Sequence, residues 1–148
     1  MLQRLFIQNY AIIEEIEIEF TKGLVVITGE TGAGKSILMG ALGLILGERA
    51  DFNVIGSKSN KAVVEATFHI NNWFQSFFEE NDLDFEEVLI VRREILKEGK
   101  SRAFINDTPV NLTQLKQLSS MLVDLHQQFD TLELGEAYFQ REVLDAIA

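Results

Sequence analysis

Leu24-Val25-Val26-Ile27-Thr28 runs directly into Gly29-Glu30-Thr31-Gly32-Ala33-Gly34-Lys35-Ser36, a β-branched apolar stretch followed by the spacing G-x-x-x-x-G-K-S. The first part lacks polar alternation, as expected of a central strand covered on both faces. The second supplies what a triphosphate needs, several donors converging with no bulky side chain between them. Gly29, Gly32 and Gly34 permit backbone angles closed to other residues, so N–H groups from Thr31 to Ser36 can turn inward as an anion nest. A helix opening near Gly34 adds unpaired N–H groups and partial positive charge at the same spot. Lys35 then reaches the β and γ phosphates as a point charge, and the Ser36 hydroxyl can ligate Mg²⁺. Gly29, Glu30, Thr31, Gly32, Ala33, Gly34, Lys35 and Ser36 are thus the candidate phosphate cradle, with Lys35 in a catalytic role and Ser36 on the metal. Four such fixed positions match by chance in roughly one chain of this length in 200. The strand before the loop and the helix after it lower that rate further.

Composition frames the loop. With 148 residues, 47% hydrophobic and 24% charged, the chain reads as one domain over residues 1–148, long enough to bury roughly 68–70% of its unfolded surface. It has no cysteine, so disulfides and thiolate metal sites are excluded, and two histidines, His69 and His126, are too few for a histidine cluster. Ile37 to Leu46, the longest apolar helical stretch, is about ten residues where a membrane span needs about 20. The N-terminus also lacks the basic and apolar regions of an export signal, so a cytoplasmic chain with no membrane partner is expected. A net charge of −10 argues against a surface that binds nucleic acid nonspecifically, because phosphate backbones are held by Lys and Arg. One local exception stands out. Arg92, Arg93, Lys97, Lys100 and Arg102 gather on an expected hairpin, which reads either as the solvated rim of an edge strand or as a DNA-facing patch.

Along the chain, Leu2 to Gln8 reads as a strand, and Ile16-Glu17-Ile18-Glu19-Phe20 alternates as a second, giving an antiparallel start. In the helix after the loop, Gly40, Gly43 and Gly47 recur at spacings of three and four. They give one face small enough for close packing, and Gly47 can serve as the C-cap. Val64 to Ile70 alternates as a strand with His69 on its polar face. Asn72 and Gln75 form a capping-box pattern for a short helix, Trp73 to Glu80, whose Trp73, Phe74, Phe77 and Phe78 read as core packing. Val88 to Ile95 and Ser101 to Ile105 form a hairpin across Lys97-Glu98-Gly99-Lys100, closed by the turn Asn106-Asp107-Thr108-Pro109. A helix follows from Leu112 with Asn111 as cap and Gln114 three residues on. Leu122-Val123-Asp124-Leu125 reads as a short strand, and a last helix runs from Glu136.

Several of these segments, taken in order, carry a resemblance. They are Leu5 to Glu14, Gly23 to Ser36, Leu46-Gly47-Glu48-Arg49-Ala50-Asp51, Ser101 to Asn106 with Pro109-Val110, Leu122 to Gln128, and Gln140 to Asp145. Together they resemble, over essentially the whole chain, the N-terminal lobe of a bacterial DNA repair ATPase in the SMC-like branch of the ABC ATPases. The resemblance implies an α/β P-loop NTPase head with a mixed sheet whose N-terminal portion is antiparallel. It also implies ATP and Mg²⁺ as cofactors, ATP-dependent pairing of two heads as a homodimer, and action on DNA at double-strand breaks, on the nucleoid. In that family a coiled coil and a C-terminal lobe follow, bringing the signature, the Walker B aspartate with its glutamate, and a switch histidine. Here Val91 is followed by Arg92 rather than an acid, and Asp124 by Leu125, so neither segment supplies that acid pair.

The resemblance also places a glutamine near Mg²⁺ and the attacking water. The stretch His126-Gln127-Gln128-Phe129 assigns it to Gln128, with Gln127 the alternative, since Gln127 and Phe129 replace a glycine and a histidine of the family pattern. Arg49 reads either as lining the nucleotide or DNA side or as a cation at a helix end, and Asn9 and Tyr10 as neighbours of the base. Two other classes share the phosphate loop. A small-molecule or nucleotide kinase should add an acceptor pocket and an arginine-bearing lid after the loop helix, and a non-catalytic nucleotide-binding or dimerisation module would need neither.

Overall fold

The computed structural model describes residues 1–23, 32–56 and 58–122. The expected loop strand at 24–28, residues 123–125 of the strand expected from Leu122 and the last helix lie outside the described residues; Leu122 itself ends a helix rather than opening a strand. Among the described residues six strands form one sheet: β1 (Leu2–Tyr10), β2 (Ile13–Glu19), β3 (Lys61–His69), β4 (Val88–Leu96), β5 (Lys100–Ile105) and β6 (Thr108–Val110). Their order is β2-β1-β3-β4-β5-β6, and every neighbouring pair is antiparallel. The antiparallel portion expected at the N-terminus therefore extends through all the described strands.

Period-two alternation sorts this sheet into two faces. Leu5 and Ile7 on β1, Val64, Ala66 and Phe68 on β3, Leu89, Val91 and Ile95 on β4, and Ala103 and Ile105 on β5 are buried. Against them lie α1 (Gly32–Ile45), α2 (Gln75–Glu80) and α3 (Leu112–Leu122), through Ala41, Leu44, Ile45, Phe77, Phe78, Leu115 and Leu118. The opposite face carries a ladder of charges. Arg4 meets Glu17 at 2.6 Å and Glu65 at 3.1 Å, and Arg92 meets Asp107 at 3.5 Å, Glu94 at 3.7 Å and Glu65 at 3.9 Å. A strand, an aromatic helix and a hairpin thus occupy the region where a kinase would place its acceptor pocket and lid.

Local chemistry fixed most boundaries. Gly47 does end α1, at φ +95°, in a Schellman arrangement: Glu48 N donates to Gly43 O at 3.0 Å and Gly47 N to Leu44 O at 3.2 Å. The glycine face is used as read, since a Cβ on Gly40 would meet the Tyr10 hydroxyl at 2.5 Å and one on Gly47 the Lys116 Cγ at 2.6 Å. Three expectations are corrected. The cap before α2 is Asn71, whose Oδ1 accepts from Trp73 N at 3.0 Å, and a 3-10 turn over Asn72–Phe74 precedes the α-helix. Trp73 is 65% exposed and lies outside the core that Phe74, Phe77 and Phe78 enter. The turn after β5 is only Asn106-Asp107, both at positive φ, and Thr108–Val110 is a strand. Asn and Asp tolerate that conformation, and a two-residue turn at positive φ suits a tight hairpin. Pro109 then sits on the sheet's edge strand, where a missing N–H costs nothing.

Candidate phosphate site at the start of α1

α1 opens at Gly32, inside the G-x-x-x-x-G-K-S spacing, so its first turn carries Gly34, Lys35 and Ser36. All three are exposed, and a Cβ on Gly34 would meet nothing within 4 Å. The first turn holds no acidic residue that would oppose an anion. Helix-start N–H groups, a lysine and a hydroxyl are therefore presented together on an open surface, the donor set a phosphate needs. Gly29, Glu30 and Thr31 lie outside the described residues, as do Gln127 and Gln128. The structure thus brings together Gly32, Ala33, Gly34, Lys35 and Ser36 of the sequence candidates.

The far end of the same helix is tied down by polar contacts. Arg93 Nη1 donates to Leu44 O at 2.8 Å and to Glu48 O at 2.9 Å, and its Nη2 donates to Ser101 Oγ at 2.7 Å. Ser119 Oγ on α3 donates to Ile45 O at 3.4 Å. Leu44 O and Ile45 O belong to the last turn of the helix, whose carbonyls lack intrahelical partners, and Glu48 O lies in the turn just past it.

Near the β1–β2 turn, a cavity of about 440 Å³ is lined by Asn9, Ala11 to Glu14, Gly56, Lys58 and Ser59. Asn9 (φ 54°) and Ala11 (φ 52°) take the left-handed conformation there, and Asn9 O accepts from Gly56 N at 2.8 Å. Of the two residues read as neighbours of a base, Asn9 lines this cavity. Tyr10 instead turns into the core, where its ring packs over Gly40. Arg49 is exposed just past α1.

The cations of the basic hairpin are largely committed within the fold. Arg93 is fully buried; Arg92 pairs with acids and stacks over Phe104 at 4.6 Å; Arg102 meets Glu94 at 3.9 Å and Lys100 meets Glu98 at 3.9 Å. The solvated rim is the reading that fits these partners. The inward turn of Arg93 had a signal in the sequence, because it falls in register with Leu89, Val91 and Ile95 on the apolar side of β4.

Mg²⁺ and ATP, implied by the resemblance, can be tested against the donors present. No group of three or more His, Cys, Asp or Glu that could cage a metal exists among the described residues. A Mg²⁺ held by one hydroxyl, phosphate oxygens and water needs no such cage, so Ser36 on an open helix start fits it.

A family model described as AAA domain matches residues 4–143. DNA repair protein RecN of Vibrio cholerae is 44% identical over 150 residues, covering 100% of this chain and 27% of that protein. RecN of Rickettsia felis is 42% identical over 146 residues, covering 99% of this chain and 27% of that protein. The chain thus spans about a quarter of the length of the curated relatives it matches. Among solved structures, a chain from work on ATP-driven dimerization and DNA-stimulated activation of SMC ATPases superposes with a TM-score of 0.71 at 19% identity, covering 99% of both chains. The Smc head domain of Pyrococcus yayanosii gives a TM-score of 0.71 at 22% identity, covering 90% of this chain and 29% of that one. At those identities the likeness shows the fold, that of an SMC head lobe. The chain belongs to the AAA domain family and matches, throughout its own length, the N-terminal portion of RecN.

Proposed function

We propose that this chain is the ATP-binding lobe of an SMC-like ATPase acting in DNA double-strand break repair and recombination, in the cytoplasm at the nucleoid. The observation that carries this reading is the start of α1, where Lys35 and Ser36 stand exposed on a helix turn with no acid. The first-turn N–H groups and Lys35 hold the β and γ phosphates, and Ser36 offers its hydroxyl to Mg²⁺. Mg²⁺ bound there would neutralise charge developing on the phosphates. Gln128 is assigned to the attacking water by resemblance alone. Pairing with a second head, and contact with DNA, belong to the longer protein that the RecN relatives represent. The outer sheet face, where Arg4, Arg92 and Arg102 already have carboxylate partners, offers DNA few uncommitted cations.

Equilibrium binding of a fluorescent ATP analogue in the presence of Mg²⁺ tests the site. Binding should be present in the unsubstituted chain and lost in Lys35→Ala; equal binding by the two would sink the assignment. Hydrolysis by the rigorously purified chain should be negligible, and robust Lys35-dependent turnover would overturn the view that other segments complete the reaction. Light scattering with and without a nonhydrolysable analogue tests head pairing.

A further inference from the structure

Arg93 is the one fully buried charged side chain among the described residues, and it forms no ion pair there. Its Nε is also buried without a partner, and burial holds the guanidinium below its usual pKa. An apolar side chain of similar volume would fill this place with no desolvation cost, so stability by itself is a poor reason for a guanidinium here. What it contacts is more informative. Nη1 bridges Leu44 O and Glu48 O on either side of the Schellman turn that ends α1, while Nη2 holds Ser101 on the β4–β5 hairpin.

We propose that Arg93 is a positioning residue for the phosphate site, fixing the axial position of α1 by clamping its C-terminal carbonyls to the hairpin. The 14-residue helix is a stiff rod about 21 Å long at 1.5 Å per residue. A slip at its far end is therefore carried to the turn bearing Lys35 and Ser36. In catalysis a 1 Å misplacement of positioned groups can cost on the order of 100-fold in rate, and the converging donors of a phosphate site depend on position in the same way. This inference rests on reading α1 as the phosphate-loop helix.

The test uses the full chain, a fluorescent ATP analogue with Mg²⁺, and amide exchange over residues 34–38. Arg93→Met should weaken binding about tenfold or more and speed exchange at those amides, with Arg93→Lys intermediate. Phe78→Leu, a core change on α2, should lower stability while leaving both readouts unchanged, which a merely structural role for Arg93 would not distinguish from Arg93→Met. If Arg93→Met does not fold, Arg93→Lys must show the loss, since one ammonium cannot span both carbonyls and Ser101. Wild-type binding and exchange in a folded Arg93 variant, with binding abolished in Lys35→Ala, would overturn the proposal alone. Failure of Lys35→Ala to weaken binding, or no binding by the unsubstituted chain, would overturn the site reading beneath it.

Discussion

The hydroxyl of Tyr10 lies against the backbone of Gly40, so closely that a Cβ added there would stand 2.5 Å from it. Tyr10 ends β1 and Gly40 sits in the middle of α1, so this contact sets how near the helix approaches the sheet. Gly40→Ala should destabilise the chain by about 1–3 kcal/mol through overpacking. In a Tyr10→Phe background the clash partner is gone, and the same change should be neutral or gain up to about 1 kcal/mol from helix propensity. Urea unfolding of the four proteins in the cycle measures the coupling. Additivity would show that the ring can move aside.

The same tyrosine should make stability depend on alkaline pH. Burial, with help from the charges of Asp51 and Glu48, raises its pKa above 10.0. Its contribution is complete below the unfolded pKa and is lost as pH rises through the folded one, since the unfolded chain ionises first. Unfolding free energy should therefore fall as pH climbs above 10, and Tyr10→Phe should flatten that limb. An unchanged slope in the variant would remove Tyr10 as its cause.

At the acid end, Arg4 and Glu17 meet at 2.6 Å across β1 and β2, and this hydrogen bond holds the Glu17 carboxyl below its usual 4.5. A depressed carboxylate contributes above its unfolded pKa and loses that contribution as pH falls through the folded value. The pair is exposed, so the effect should be small and screened by salt. Acid titrations of Glu17→Gln at low and high salt check this: the variant should differ from the parent above pH 4.5 and converge with it below.

What the sequence disclosed and what it hid follow a physical pattern. Elements with their own local signals were legible: the alternation of β3, the Gly47 cap, and the Asn111 and Gln114 spacing. The start of α1 was legible too, since the helix opens inside the G-x-x-x-x-G-K-S spacing that calls for one. Composition groups Arg93 with the surface cations, whereas its register on β4 turns it inward, and its carbonyl partners Leu44 and Glu48 are distant in sequence. Helical spacing counted from Trp73 places its ring in the core, whereas the chain begins that segment in a 3-10 turn and the ring is left exposed. In both cases tertiary geometry decided the direction of one side chain.

Trp73, the only tryptophan, offers a direct spectroscopic check on that direction. At 65% exposure its fluorescence should be quenched readily by acrylamide in the native state, almost as in urea. Trp73→Ala should change stability by no more than about 0.5 kcal/mol, as for surface substitutions. Phe78→Ala, fully buried nearby, should cost about 3–5 kcal/mol. A large loss in the tryptophan variant would return Trp73 to the core.

Asn111 and Gln114 close the start of α3 reciprocally: Gln114 N donates to Asn111 Oδ1 at 2.8 Å, and Asn111 N donates to Gln114 Oε1 at 3.0 Å. Gln114 Nε2 also donates to Asn81 Oδ1 at 3.2 Å, which ties the cap to the end of α2. Asn111→Ala should therefore cost about 1 kcal/mol, while Asn111→Asp should keep most of it because a carboxylate accepts the same N–H and suits the helix dipole. Gln114→Ala leaves the Asn111 cap in place but frees both Asn111 N and Asn81. Amide exchange separates global loss from local fraying: both alanine variants should speed exchange in the first turn of α3, and only Gln114→Ala should also loosen the turn at Asn81. Equal exchange at Asn81 in the two variants would mean that the bond between α2 and α3 carries no weight, and that α3 is held by Leu115 and Leu118 in the core instead.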